Sequence, residues 1–246
     1  MPASSALAIV ALALFFGGAA KGIVGFGIQI VSLAILSIAF DLLTAMAVLL
    51  APTIATNIWQ ALVGRDTRFL LRRLWPFLLA VAGAVFIGAL ALSRIELHLL
   101  TAMLGIVTLV YSLSGMAGFR LAVPARSEIW LGPAFGFANG LITGMTGASV
   151  IPGTLYLQAL DFDRDRLVQA MGMLYLVSAG ALALAMLVNG LLNPRLGLLS
   201  AAAIVPAILG MIAGQRIRRY LSETWFKRIF YLALFGLGLR LIFGSG

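Results

Sequence analysis

In the first 64 residues only two side chains carry charge, Lys21 and Asp41. A soluble domain needs a charged outer surface, and ordinary domains carry about 25% charged residues. This chain of 246 residues has 10%, against 62% hydrophobic side chains. A spanning helix takes about 20 apolar residues, so about eight to ten segments would use up most of the length. That composition argues against a soluble enzyme and against an extramembrane binding module. The expectation is an all-α polytopic membrane protein, because lipid offers no partner to unpaired backbone groups and helices satisfy their own. Residues 1–20 have the apolar run of a signal peptide, yet no basic residue precedes Lys21, and a signal starts with a positive region. They are read as the first transmembrane segment.

The apolar runs predict segments at about 5–21, 27–40, 44–63, 74–92, 97–118, 129–146, 148–160, 167–189, 196–214 and 229–243, all expected as helices. The division falls in the loop 118–127, giving a first half of 1–120 and a second of 121–246. The halves resemble each other. Lys21-Gly22-Ile23-Val24-Gly25-Phe26-Gly27 opens a short apolar run reaching Asp41, as Asn139-Gly140-Leu141-Ile142-Thr143-Gly144-Met145-Thr146-Gly147 opens one reaching Asp161. Thr44–Leu49 is matched by Gln169–Leu174, and Trp75-Pro76-Phe77 by Val205-Pro206-Ala207. A duplication of about five segments is inferred.

Charge sets the orientation. The net +9 is read as arginine held in cytoplasmic loops, not as a nucleic-acid surface. The loops 64–73, 119–127, 161–166 and 215–228 carry thirteen basic residues. Among them are Arg65, Arg68, Arg72 and Arg73 in the first and Arg216, Arg218, Arg219, Lys227 and Arg228 in the last. The opposite side has Arg94, Arg195 and Arg240, which places both termini outside the cytoplasm. Equivalent loops also carry opposite basicity: four arginines in 64–73 against Arg195 alone in 190–195. The two repeats are therefore expected to be inverted, an arrangement typical of secondary transporters.

Segments 27–40 and 148–160 are too short to span at about 1.5 Å per residue, and each follows a glycine-interrupted stretch. Paired short or broken helices are the best sequence pointer to a carrier's substrate site. Exposed helix N-termini there offer free N–H groups and positive dipole ends, which suit a small anion. Lys21 supplies charge or snorkels to the interface; both readings stand. The substrate-binding candidates are Lys21, Gly25, Gly27, Gln29, Asn57, Asn139, Gly144, Thr146, Gly147, Ser149 and Tyr175. The glycines have a competing use, since small residues four apart serve helix packing. Ser178 and Gln169 are among further polar residues near the breaks. Asp41 and Asp161 close equivalent short runs as interface or capping residues.

Other chemistry is sparsely provided. There is no cysteine and one histidine, His98, so no metal site and no cofactor is expected. No nucleophile–base pair can be assembled, which argues against an intramembrane enzyme. No carboxylate is placed mid-membrane, so the coupling ion, proton or sodium, stays open, as does a homo-oligomer. A non-transporting assembly or signalling subunit and an anion channel are the alternatives to a carrier.

Lys21–Gly27 and the stretch Thr143–Leu160 resemble the two signature stretches of the sulfite exporter TauE/SafE family. The likeness continues through Gln169-Ala170-Met171-Gly172 and Gly214-Gln215-Arg216-Ile217-Arg218-Arg219. One difference is Ala34, where that family commonly has proline. The resemblance implies a multi-pass permease of the bacterial inner membrane. Its cargo would be a small sulfur-containing anion such as sulfite, a sulfonate or sulfoacetate, or a related organic anion.

Overall fold

The computed structural model describes residues 3–62, 64, 66–119, 121–220 and 222–244. Arg65 and Arg120, two of the basic loop residues, lie outside the described residues. Every regular element described is helical: α1 Ala3–Val24, α2 Ile28–Ala39, α3 Leu42–Leu62, α4 Thr67–Ala89, α5 Leu97–Met116, α6 Glu128–Thr146, α7 Gly153–Gln158, α8 Arg164–Val188, α9 Pro194–Ala202, α10 Ile204–Ile217 and α11 Glu223–Phe243. Six stretches are long and apolar enough to cross a membrane: Ser4–Val24, Leu42–Leu62, Thr67–Ser93, Leu97–Met116, Arg164–Val188 and Pro194–Ile217. The protein is an all-α polytopic membrane protein. Helices α6 and α11 have 19 and 21 residues, whereas α2 and α7, with 12 and 6, are too short to span.

Three expected boundaries differ for identifiable reasons. The segment 148–160 is not one helix. Gly147 turns into the left-handed region (φ 76°), Pro152 supplies no amide, and helix resumes only at Gly153. The segment 196–214 is two helices parted at Ala203. Pro206 cannot donate to the carbonyl of residue 202 and its ring crowds that position, and α9 ends there. Arg68, Arg72 and Arg73, expected in a loop, ride on the first turns of α4.

The chain forms two compact units. Unit 1 contains α1, α2, α3 as far as Pro52, α5, and α9 to α11. Unit 2 contains the rest of α3, α4, α6, α7 and α8. Each unit therefore draws helices from both halves of the sequence.

In unit 1, α1 lies along α10 with glycine facing carbonyl. A Cβ on Gly18 would strike the carbonyl of Ala207, one on Gly22 that of Met211, and Gly210 and Gly214 meet the carbonyls of Phe15 and Ala19. Small residues at the seam let backbones approach, which is how apolar helices gain packing energy where lipid competes for every apolar contact. Helix α5 pairs with α11: the Ser112 hydroxyl donates to the Tyr231 carbonyl (2.7 Å), and the rings of Tyr111 and Tyr231 meet edge-on at 5.7 Å. Pro52 leaves the Val48 carbonyl without its helical donor. The hydroxyl of Ser200 on α9 takes that place, donating to Val48 O and accepting from Ala51 N–H, each at 2.9 Å.

In unit 2, α4 and α6 make the corresponding seam. Gly136, Gly140 and Gly144 face the carbonyls of Phe77, Val81 and Val85, and Gly88 faces that of Leu141. Its charged ends are cross-linked. Arg73 holds Glu128 through two hydrogen bonds of 2.9 and 2.6 Å, and Arg166 donates to Asp66 at 2.9 Å. Gln60 donates to the Val168 carbonyl and Gln169 to the Ala61 carbonyl and the Thr67 hydroxyl, tying α3 and α4 to the start of α8.

Candidate functional site

Four of the eleven candidates fall in unit 1, on nine consecutive residues around the first helix break. The amide of Gly25 closes the last turn of α1 on the Lys21 carbonyl (2.8 Å). Gly25 and Gly27 then take φ of 91° and 108°, and α2 starts at Ile28. Only glycine enters that region without strain. At Gly27 the space is also taken, since a Cβ would sit 3.2 Å from the Phe230 ring.

Lys21, on the last turn of α1, is 4% exposed and Gln29, on the first turn of α2, 5%. Among the described residues Lys21 is the only buried charged side chain. Burying an ammonium is costly, and the last turn of a helix is where a cation is best tolerated. The first turn of α2 adds amides with no partner inside their own helix. Together they make a locally positive corner. Helix α2 is held on α1 by the Ser32 hydroxyl, which donates to the Ala13 carbonyl (2.9 Å) opposite Gly17.

The other seven candidates fall in unit 2. Asn139, on α6, organises the second break. Its amide nitrogen donates to the Ser149 hydroxyl (3.0 Å) and its oxygen accepts the Gly153 N–H (3.0 Å). Ser149 is in turn 2.7 Å from the Ser178 hydroxyl of α8. Thr143 donates to the Asn139 carbonyl, and the Thr146 hydroxyl donates to Ile142 O while accepting the Ala148 N–H. Gly147 caps α6 by donating to Thr143 O (2.8 Å).

Side chains of α6 thus meet several of the polar groups that the chain releases on leaving the helix in the buried interior, where a missing hydrogen bond is expensive. Asn139, Thr143, Thr146, Ser149 and Ser178 are all fully buried. Irregular backbone at membrane depth is tolerated only when protein surrounds it in this way.

The structure thus joins Asn139 to Ser149 and sets Thr146 and Gly147 beside them. Gly144 has a packing role, with the Val85 carbonyl where its Cβ would be. Tyr175, 4% exposed, is 3.0 Å from the Thr154 hydroxyl, and Asn57 donates to the Thr53 carbonyl at 2.7 Å. Thr154 was not among the candidates. Its only sequence signal is its place just after Pro152-Gly153, where the broken segment regains helix. Asp41 accepts from the amide and hydroxyl of Thr44 and so caps the start of α3, and Asp163 does the same for α8 through the amides of Asp165 and Arg166. His98 is exposed and sits 3.1 Å from Glu96.

Unit 1 offers a buried cation beside the amides of a helix start, and unit 2, taken by itself, a hydroxyl–amide cluster. A cation and free helix-start amides are groups that suit an anion. A model of the family described as sulfite exporter TauE/SafE matches residues 10–241. No curated protein and no solved structure matches the chain.

Proposed function

The chain belongs to the sulfite exporter TauE/SafE family, whose members are membrane transporters rather than enzymes, and on that premise we propose that it is a secondary carrier for a small sulfur-containing oxyanion or organosulfonate. Sulfite, a simple sulfonate and sulfoacetate are the substrates of choice. The same reading makes it a protein of the bacterial inner membrane with both termini outside the cytoplasm. Transport proceeds by alternating access of two inverted repeats, 1–120 and 121–246.

The observation that carries the proposal is the pair of glycine-hinged helix breaks, at Gly25–Gly27 and at Gly147–Pro152, each following a helix that ends in buried polar residues. Lys21 supplies positive charge and the α2 amides supply donors. In unit 2, Asn139, Thr146 and Ser149 hold the second break in shape, and Asn57 and Tyr175 are that unit's own candidates for orienting an anion.

The glycine seams support the duplication. With Lys21-Gly22 aligned on Asn139-Gly140, and Pro206 on Pro76, the seam contacts coincide. Gly18 and Gly136 each meet the carbonyl one residue after the aligned proline, and Gly22 and Gly140 each meet the carbonyl five residues after it. Lys21 and Asn139 are then corresponding positions in the two repeats. One carries charge and the other a neutral amide.

Purified protein in proteoliposomes tests this. Sulfite or a sulfonate should be taken up in a saturable manner, and Lys21→Ala should lower uptake by at least about tenfold, the effect of losing roughly 1.4 kcal/mol of binding. Wild-type rates in Lys21→Ala and in Gly147→Ala would remove the proposed site. Currents far above carrier turnover would replace the carrier with a channel.

A further inference from the structure

Unit 1 contains a second concentration of positive charge, separate in sequence from Lys21. Between Arg216 and Arg228 the chain carries Arg216, Arg218, Arg219, Lys227 and Arg228, with Glu223 as the only acid. All five bases are exposed.

In unit 2 two arginines are neutralised by carboxylates, while among the described residues Arg68, Arg72, Arg94, Arg126 and Arg164 enter no ion pair. Arg73 is paired to Glu128, and Arg166 to Asp66 and, at 3.4 Å, to Asp163. Among the described residues no ion pair involves Arg216, Arg218, Arg219 or Arg228. Their positive charge faces outward and is not spent inside the protein.

The surroundings say what it faces. The apolar stretch Pro194–Ile217, long enough to cross a membrane, ends where the cluster begins. Tyr220 is 88% and Trp225 65% exposed, and the Arg228 guanidinium lies 5.9 Å from the Trp225 ring centre. Rings with an apolar body and a polar edge settle at the headgroup level of a bilayer. Four to eight basic residues directly beside a span attract anionic lipid. The five bases are exposed, so a free anion would have only solvent-screened contacts there. A headgroup anchored by its own acyl chains stays at high local concentration.

We propose that the α10–α11 corner, with Arg216 at the end of α10, Arg218 and Arg219 in the connection, and Lys227 and Arg228 on the first turns of α11 around Tyr220 and Trp225, is a docking surface for anionic phospholipid headgroups. Its readout is lipid retention, not transport.

The full-length protein in neutral detergent, given phosphatidylglycerol or phosphatidylcholine in mixed micelles, provides the test by native mass spectrometry. Phosphatidylglycerol should bind on the order of a thousandfold tighter, given roughly fivefold for each of five basic side chains near the surface. Its advantage should collapse near 1 M salt, where the screening length is about 3 Å. The variant R218Q/R219Q/K227Q/R228Q should lose most of the preference, whereas R94Q/R195Q, with two exposed arginines from other connections, should keep it. An unchanged melting temperature in detergent alone shows that the quadruple variant is folded. Should it not fold, R218Q/R219Q alone must still cut the preference by about 25-fold. Full retention of phosphatidylglycerol by these variants overturns the proposal. So does its displacement by millimolar inorganic phosphate, which would make the surface a site for free oxyanions.

Discussion

A single side chain, Asn139, stands in for the helical partner that the Gly153 amide lacks and also holds the Ser149 hydroxyl. Its donor goes to Ser149 and its acceptor to the Gly153 amide, both at 3.0 Å. Asn139→Ala leaves that buried amide unmet and should cost about 1–3 kcal/mol. Ser149→Ala strands no backbone group, and the Asn139 amide nitrogen it releases keeps the Thr143 hydroxyl at 3.5 Å, so it should cost less, about 1 kcal/mol. Melting in detergent, with hydrogen exchange followed over 147–153, checks both; equal losses would mean that the Gly153 bond carries no weight. Asn139 and Ser149 stood out in the sequence because polar residues flanking a glycine break in an apolar run are conspicuous. The partnership of Ser149 with Ser178, and of Gln169 with Ala61 and Thr67, could not be read there. Those pairs join residues 29 to 108 positions apart, and only the packing of helices brings them together.

At the level of elements, glycines inside helices do not all serve the same end. Gly22 and Gly140 sit against backbone carbonyls, so even alanine there forces α1 from α10 or α4 from α6. Gly22→Ala and Gly140→Ala should each lower stability by about 1–3 kcal/mol, as overpacking does. Gly180 in α8 and Gly83 in α4 have nothing within 4 Å of a Cβ position. Their replacement by alanine should gain about 0.5–1 kcal/mol of helix propensity. Thermal melts of the four variants decide it, and a loss in Gly180→Ala or Gly83→Ala would contradict this division of roles. Most elements were readable from apolar runs bounded by charge, because hydropathy reports where lipid is. The exceptions are places where local backbone chemistry overrides hydropathy. Residues 147–152 are apolar enough for a helix, but Gly147 and Pro152 interrupt the ladder and side chains of α6 take it over. Pro206 splits one apolar run into α9 and α10, whereas Pro76 leaves α4 whole.

For the whole molecule, the compact units cut across the sequence halves. Helix α1 finds its main partner in α10, and α4 finds its own in α6. A fragment of residues 1–120 therefore lacks both glycine-seam partners, and so does 121–246. Each fragment expressed alone should be degraded or aggregate, while the two co-expressed should recover a melting transition and co-purify. A stable, monomeric 1–120 fragment would count against the exchange. The sequence announced two similar halves, yet similarity cannot tell which helix packs on which, since every candidate face is apolar.

This exchange bears on how such a chain could arise. If the halves descend from one ancestral segment, that segment held an α1-like helix and an α4-like helix whose grooves it could not fill for itself. A second copy had to supply them, and for inverted repeats that copy sat in the membrane upside down. On that descent the ancestor is an obligate antiparallel pair, inserted both ways round, and fusion makes a standing partnership permanent. Lys21 and Asn139 could then take different chemistries only after fusion, once one position no longer had to serve in both orientations.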